Sequence, residues 1–192
     1  MGTAEQIHAK MRASIESYDA EAAAAAAKEA VASQVDLLAA VEKGFAEPIR
    51  ELGEAIQASG GKLSTKGVVV IGTVEGDIHD IGKTVVAALL SANGYDVHDL
   101  GVEVPAGRFI EAAAARKADV IGLSALLSTT MLYQRDVLEL LRSKGLKDRY
   151  FVAVGGAPVT QAWASEIGAD GYARGAYEAV QMLEASRKRW AK

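Results

Sequence analysis

Val68-Val69-Val70-Ile71-Gly72-Thr73-Val74-Glu75-Gly76-Asp77-Ile78-His79-Asp80-Ile81-Gly82-Lys83-Thr84 decides the fold. An apolar, β-branched run breaks into a loop rich in Gly and Asp and then into a helical pattern, so the stretch reads as strand, loop, helix. Val68 to Ile71 lack polar alternation, which suits a strand buried on both faces of a parallel sheet. Ligands of such sheets sit beyond the carboxyl ends of the strands, where this loop lies. The loop sets His79 between Asp77 and Asp80. One carboxylate there can orient an imidazole whose other nitrogen faces a metal. The bland alternative is an ordinary surface histidine. A phosphate loop is disfavoured, because Gly76 and Gly82-Lys83-Thr84 enclose five residues instead of four and two of them are acidic. Gly72, Gly76 and Gly82 do not fit the dinucleotide fingerprint either.

Downstream, the same alternation repeats. Strands are predicted at Val68 to Gly72, Tyr95 to Leu100, Asp119 to Leu123, Tyr150 to Val154 and Gly171 to Ala173. Helices are predicted at about Gly82 to Asn93, Pro105 to Lys117, Met131 to Ser143, Pro158 to Ile167 and Ala176 to Trp190. Units of this length mean a doubly wound parallel sheet with helices on both faces, and right-handed crossovers restrict the order. The expected fold is α/β, flavodoxin-like, with strand order 2-1-3-4-5. A phospho-receiver domain shares that order but needs an aspartate where this chain has Ser124.

Upstream, residues 1–61 read as a small α-helical module and residues 62–192 as the sheet domain. Ile7, Met11, Ile15 and Tyr18 recur at helical spacing. Asp19 is placed to cap a second helix through the alanine run Ala22 to Ala27. Val31, Val35, Leu38, Phe45, Ile49, Leu52 and Ile56 continue an apolar face, with Gly44 and Pro48 as interruptions and Pro48 as the first residue of a third helix. His8 lies off the stripe and reads as solvated. Ser59-Gly60-Gly61 ends the helices, and Lys62 to Gly67 forms a linker. These helices must pack on one another, on the sheet domain or on a second copy, so a homodimer is among the expected outcomes.

The chain has 192 residues, half of them apolar, enough for one full domain and a small accessory one. A net charge of −4 and a pI near 5.5 argue against a nucleic-acid partner. The absence of cysteine excludes thiolate sites and disulfides. No run approaches the ~18 apolar residues of a membrane span. The expected location is cytoplasmic.

Three motifs stand in order along the chain: Asp77-x-His79-x-x-Gly82, Ser124-x-Leu126 and Gly155-Gly156. At these separations they resemble the signature of cobalamin-binding domains of the methionine synthase type, over Lys66 to Trp190. Gly122-Leu-Ser-Ala-Leu-Leu-Ser-Thr-Thr-Met131 is especially similar to the small corrinoid proteins of methyltransferase systems for methanol, methylamines, betaines or aryl methyl ethers. Ala40 to Glu54 resembles the later part of the helical cap of that family, although the segment is short for a full cap.

The resemblance implies a cobalamin cofactor, cycling between cob(I)alamin and methylcobalamin, with its own base off the cobalt and His79 as the metal ligand. It places Ile78, Asp80 and Gly82 at the cofactor beside His79, with Asp77 accepting the other ring N–H. Gly155 and Gly156 would let the nucleotide tail run against bare backbone, Ser124 would offer it a hydroxyl, and Leu126 would supply apolar wall. The family's serine in a His-Asp-Ser relay stands six positions after the first motif serine, which here is Thr130. Ser128, Thr129 and Thr130 also read as simple caps for the helix at Met131. The implied role is a methyl carrier without catalytic residues of its own. Its partners would be a substrate-specific methyltransferase, a second methyltransferase and a reductive activase. A subunit of an adenosylcobalamin mutase, or a cobalamin store or sensor, are the alternatives.

Overall fold

Thr3 starts the first helix of the computed structural model, which describes residues 3–17, 19–48, 51 and 65–191. The chain divides into two compact units, Met1–Leu63 and Ser64–Lys192. In the first, a capping box closes α1 (Ala4–Glu16): the Thr3 hydroxyl accepts the Gln6 N–H, and the Gln6 side chain accepts the Thr3 N–H. Asp19 caps α2 (Ala20–Ala32), accepting the Ala22 N–H at 2.9 Å. Asp36 does the same for α3 (Leu37–Val41), which runs into a π-helical turn, Glu42–Ala46. Ile7, Met11, Ala26, Ala30 and Ala40 form the small core, with Val35 and Phe45 packed against it.

Four readings of this unit change. The third helix starts at Leu37, and Pro48 lies in helical backbone just after the π turn, where the altered bonding register accommodates a residue without an N–H. Gly44 does not interrupt the helix. A Cβ there would lie 2.8 Å from the Cβ of Met11, so glycine is what lets α1 pack this closely. Val31 is 62% exposed, because α2 ends at Ala32 and Gln34 turns the chain at φ 53°, restarting the apolar period on another face. His8 is half-buried rather than solvated. Tyr18, Ile49, Leu52, Ile56, Ser59-Gly60-Gly61, residues 62–64 of the linker and the side chain of Leu38 lie outside the described residues.

In the second unit, five runs pair as one parallel sheet: β1 (Val68–Thr73), β2 (Asp96–Asp99), β3 (Val120–Ser124), β4 (Phe151–Gly155) and β5 (Gly171–Ala173). The order is β2-β1-β3-β4-β5, as the alternation predicts. The helices are α4 (Ile81–Ala92), α5 (Ala106–Ala115), α6 (Leu132–Ser143), α7 (Gln161–Ile167) and α8 (Ala176–Ser186). Boundaries move most at α7 and α8. Helix α7 begins at Gln161 rather than Pro158, because the Thr160 hydroxyl accepts the Trp163 N–H at 3.1 Å and takes the cap position. At the other end of the chain, α8 gives way after Ser186 to a 3₁₀ turn, Arg187–Arg189.

Alternation along the strands sorts the core into two halves. Val70, Ile121, Leu123, Val152 and Val154 pack against α5, α6 and α7 through Phe109, Leu138, Leu141 and Trp163. Val69, Ile71, Val120 and Phe151 face α4 and α8, meeting Leu90, Val180 and Leu183. Among the described residues no helix is long and apolar enough to cross a membrane.

Candidate functional site

The loop after β1 is pinned from several sides. Val74 donates its N–H to the Ser124 carbonyl at 3.0 Å, Asp77 closes a turn onto the Val74 carbonyl at 3.2 Å, and Glu103 donates to the Asp77 carbonyl at 3.0 Å. The buried Thr73 hydroxyl donates to the His79 carbonyl at 3.0 Å. His79 therefore sits on a backbone held at both sides.

Its side chain is held by Asp77, which is fully buried. The Asp77 Oδ1 accepts the His79 ring Nδ1–H at 2.7 Å and the His79 backbone N–H at 3.1 Å. The Oδ2 accepts the Thr130 hydroxyl at 2.5 Å and the N–H groups of Leu126 at 2.7 Å and Leu127 at 3.3 Å. Burial pushes the Asp77 pKa up, but the hydrogen bonds from Thr130, Leu126 and His79 outweigh it and hold the carboxyl well below the usual carboxylate range. An ionised carboxylate only accepts, so the proton of a neutral His79 resides on Nδ1 and the Nε2 lone pair is available to a metal. The His79 side chain is 40% exposed, open to such a partner.

A cavity of about 320 Å³ opens beside His79 along the α4 and α8 face of the sheet. It exists because one row of that face is small. Ile71 of β1 stands beside Gly122, Ala153 and Gly171 of the next three strands, and one pleat onward Thr73 stands beside Ser124, Gly155 and Ala173. Larger side chains in these rows would fill the space between sheet and helices. The exposed apolar side chains of Ile78, Ile81, Leu126 and Leu127 flank the imidazole in sequence and through the Asp77 bonds.

The predicted residues are brought together with some changes of role. Asp77, His79 and Thr130 form one hydrogen-bonded chain, so Thr130 is spent on Asp77, and α6 has no side-chain cap at Met131. Gly82, Ser124, Leu126, Gly155 and Gly156 line the cavity. The Ser124 hydroxyl has no partner among the described residues, and Leu126 contributes its N–H to Asp77 as well as wall. Asp80 is exposed and precedes α4 without a side-chain capping bond, so only one of the two flanking aspartates holds the imidazole. Gly156 has φ +129°, and a Cβ there would lie 1.7 Å from the Ala125 carbonyl oxygen. Its lack of a side chain is demanded by the protein's own backbone before any ligand is considered. Gly122, Ala153, Ala173 and Gly175 also line the cavity and were missed. Their signal was the strand period: Gly122 lies two residues before Ser124, and Ala153 two before Gly155.

A family model described as the B12 binding domain matches residues 67–181, more than half of the chain. Dimethylamine corrinoid protein 2 of Methanosarcina acetivorans is 55% identical over 127 residues, 66% of this chain and 59% of that protein. The chain thus spans less than two thirds of that relative. Trimethylamine corrinoid protein 1 of the same organism is 39% identical, covering 96% of this chain and 99% of its own length. Among solved structures, the monomethylamine corrinoid protein of Methanosarcina barkeri aligns with a TM-score of 0.61 and 31% identity, over 93% of this chain and 97% of that one.

Proposed function

Because this chain belongs to the B12-binding domain family, we propose that it is a cobalamin-binding methyl carrier of a methyltransferase system. When bound, the corrinoid supplies a cobalt centre that takes up and gives off a methyl group. The observation that carries the reading is an imidazole with its Nδ1–H fixed by a buried carboxylate and its Nε2 available, beside a cavity walled by small residues.

Two further features support the fit. A Cβ at Gly82 or Gly175 would meet nothing within 4 Å, so the protein's own packing does not explain these glycines at the cavity wall. The partnerless Ser124 hydroxyl there suits a polar tail. His79 would hold the cobalt through its Nε2. Asp77 and Thr130 would keep the proton on Nδ1 and the ring in one orientation, making it a stronger donor. Gly155, Ser124 and the wall from Leu126 would hold the tail, while Ile78 and Ile81 would present apolar surface to the ring system.

The names of the relatives point to a methylamine as donor, held by a separate substrate-specific methyltransferase. A second methyltransferase would pass the methyl group to its acceptor, and a reductive activase would restore the reduced cofactor. Residues 1–61 would be an accessory, cap-like module.

The test follows the methyl group. The corrinoid-loaded protein is reduced, given labelled methyl iodide, and mixed with cell extract and a thiol acceptor. Extract-dependent label in the thiol supports the carrier. Selection of the adenosyl form of the cofactor, with no labelled thiol, would instead indicate a subunit of a mutase.

A further inference from the structure

Gln134, in the first turn of α6, is fully buried, yet the relay at His79 does not use it. Its amide is fully engaged. The Nε2 donates to the carbonyls of Leu123 and Gly155, each at 3.1 Å, and the Oε1 accepts the indole N–H of the nearly buried Trp163 at 3.0 Å. Leu123 and Gly155 belong to different strands, β3 and β4, and both line the cavity. One side chain therefore ties together the carboxyl ends of two strands at the place where their ladder runs out. Beyond it the Ala125 N–H still reaches across, to the same Gly155 carbonyl at 3.2 Å.

The position is sensitive because the wall here has no slack. Gly156 lies directly over the Ala125 peptide, so a change in the spacing of the two strand ends moves Ser124, Ala125, Gly155 and Gly156 together. The other end of the same short segment is Thr130, which holds Asp77 and through it His79. The segment 130–134 thus sets both the imidazole and the cavity wall. A buried amide with every bond satisfied is a rigid spacer. An apolar residue of equal size would leave the Leu123 carbonyl and the Trp163 N–H without these partners, and the strand ends free to shift.

We propose that Gln134 is a positioning residue that fixes the width of the tail slot relative to His79, and so determines how strongly the chain prefers a corrinoid with a complete nucleotide tail. The proposal rests on the corrinoid reading of the site. It acts through the strand ends and does not require Gln134 to touch the cofactor.

The test compares two ligands in the full-length protein: cobalamin, which has the tail, and cobinamide, which lacks it. Gln134→Met keeps the volume and removes the bonds. Trp163→Phe removes the indole N–H together with part of the ring but leaves the Gln134 bonds to Leu123 and Gly155, and is the second variant should the first not fold. Visible-spectrum titrations are run alongside thermal melts. Gln134→Met should lower the melting temperature and weaken cobalamin binding roughly tenfold, because the strand ends no longer hold the slot at one width, with cobinamide binding unchanged. Trp163→Phe should show a smaller loss of the same selective kind. A wild-type cobalamin-to-cobinamide ratio in the folded variants overturns the proposal, as does an equal loss for both ligands. If the wild-type protein binds neither corrinoid, the reading of the site fails instead.

Discussion

Asp77 shows how one buried side chain can hold an imidazole, a hydroxyl and two backbone N–H groups in one arrangement. Its charge is kept in the interior by donors from the imidazole, a hydroxyl and backbone N–H groups, which is why its pKa lies below the ordinary range despite complete burial. A depressed folded-state pKa contributes stability that is present above the unfolded carboxylate value, about 3.9, and is lost as pH falls toward the folded one. Thermal midpoints should therefore decline below about pH 4. Asp77→Asn should flatten that decline while costing ~1–3 kcal/mol near neutrality, because an amide N–H would then face other donors. If the mutant and wild-type acid limbs run parallel, the carboxylate is not the group that titrates. His79→Ala removes one donor from the buried Asp77 carboxylate and should lower stability by about 1–2 kcal/mol. It should still retain corrinoid through the tail but alter the visible spectrum of protein loaded with cob(III)alamin; identical spectra would remove His79 as the cobalt ligand.

At the scale of elements, the slot is a property of one sheet face. Ile71, Gly122 and Ala153 stand in register, and the small members of that row leave room beneath α4 and α8. Ala153 and Gly156 both border the cavity, but they answer different questions. Ala153→Leu extends a side chain into the open volume, so the fold should persist while binding of complete cobalamin falls far more than binding of cobinamide. Gly156→Val meets the Ala125 carbonyl and a positive φ, so it should destabilise the protein itself. Melting curves and ligand titrations on the two variants distinguish the cases. Normal cobalamin binding by Ala153→Leu would mean that the tail lies elsewhere.

At the scale of the whole molecule, every residue that borders the cavity lies between Ile71 and Met182, within the second unit, and the first unit has a core of its own. A chain beginning at Thr65 should therefore melt cooperatively and bind cobalamin. Unfolding of that truncated chain would make the helices part of the core. If the helical stripes pair between copies, light scattering should show a dimer for the full chain and a monomer for the truncated one.

The sequence by itself determined the strand order and set the Asp77 carboxylate and the His79 imidazole together on one loop. Unalternated strands such as Val68 to Ile71 require a sheet covered on both faces, and the Asp77-x-His79 spacing places a carboxylate within reach of the imidazole. Thr130 was reached through the resemblance, as the residue standing in the place of the family's relay serine. The N-terminal helices were less legible. An alanine-rich chain has helix propensity without a directional stripe, so the start at Leu37, the π turn and the exposure of Val31 depend on where α1 packs. Tertiary structure alone decided that Gly156 is glycine for the sake of Ala125 and that Gln134 joins β3 to β4. Each of these depends on atoms brought together from separate strands and helices, and hydrogen bonds between them have no period along the chain.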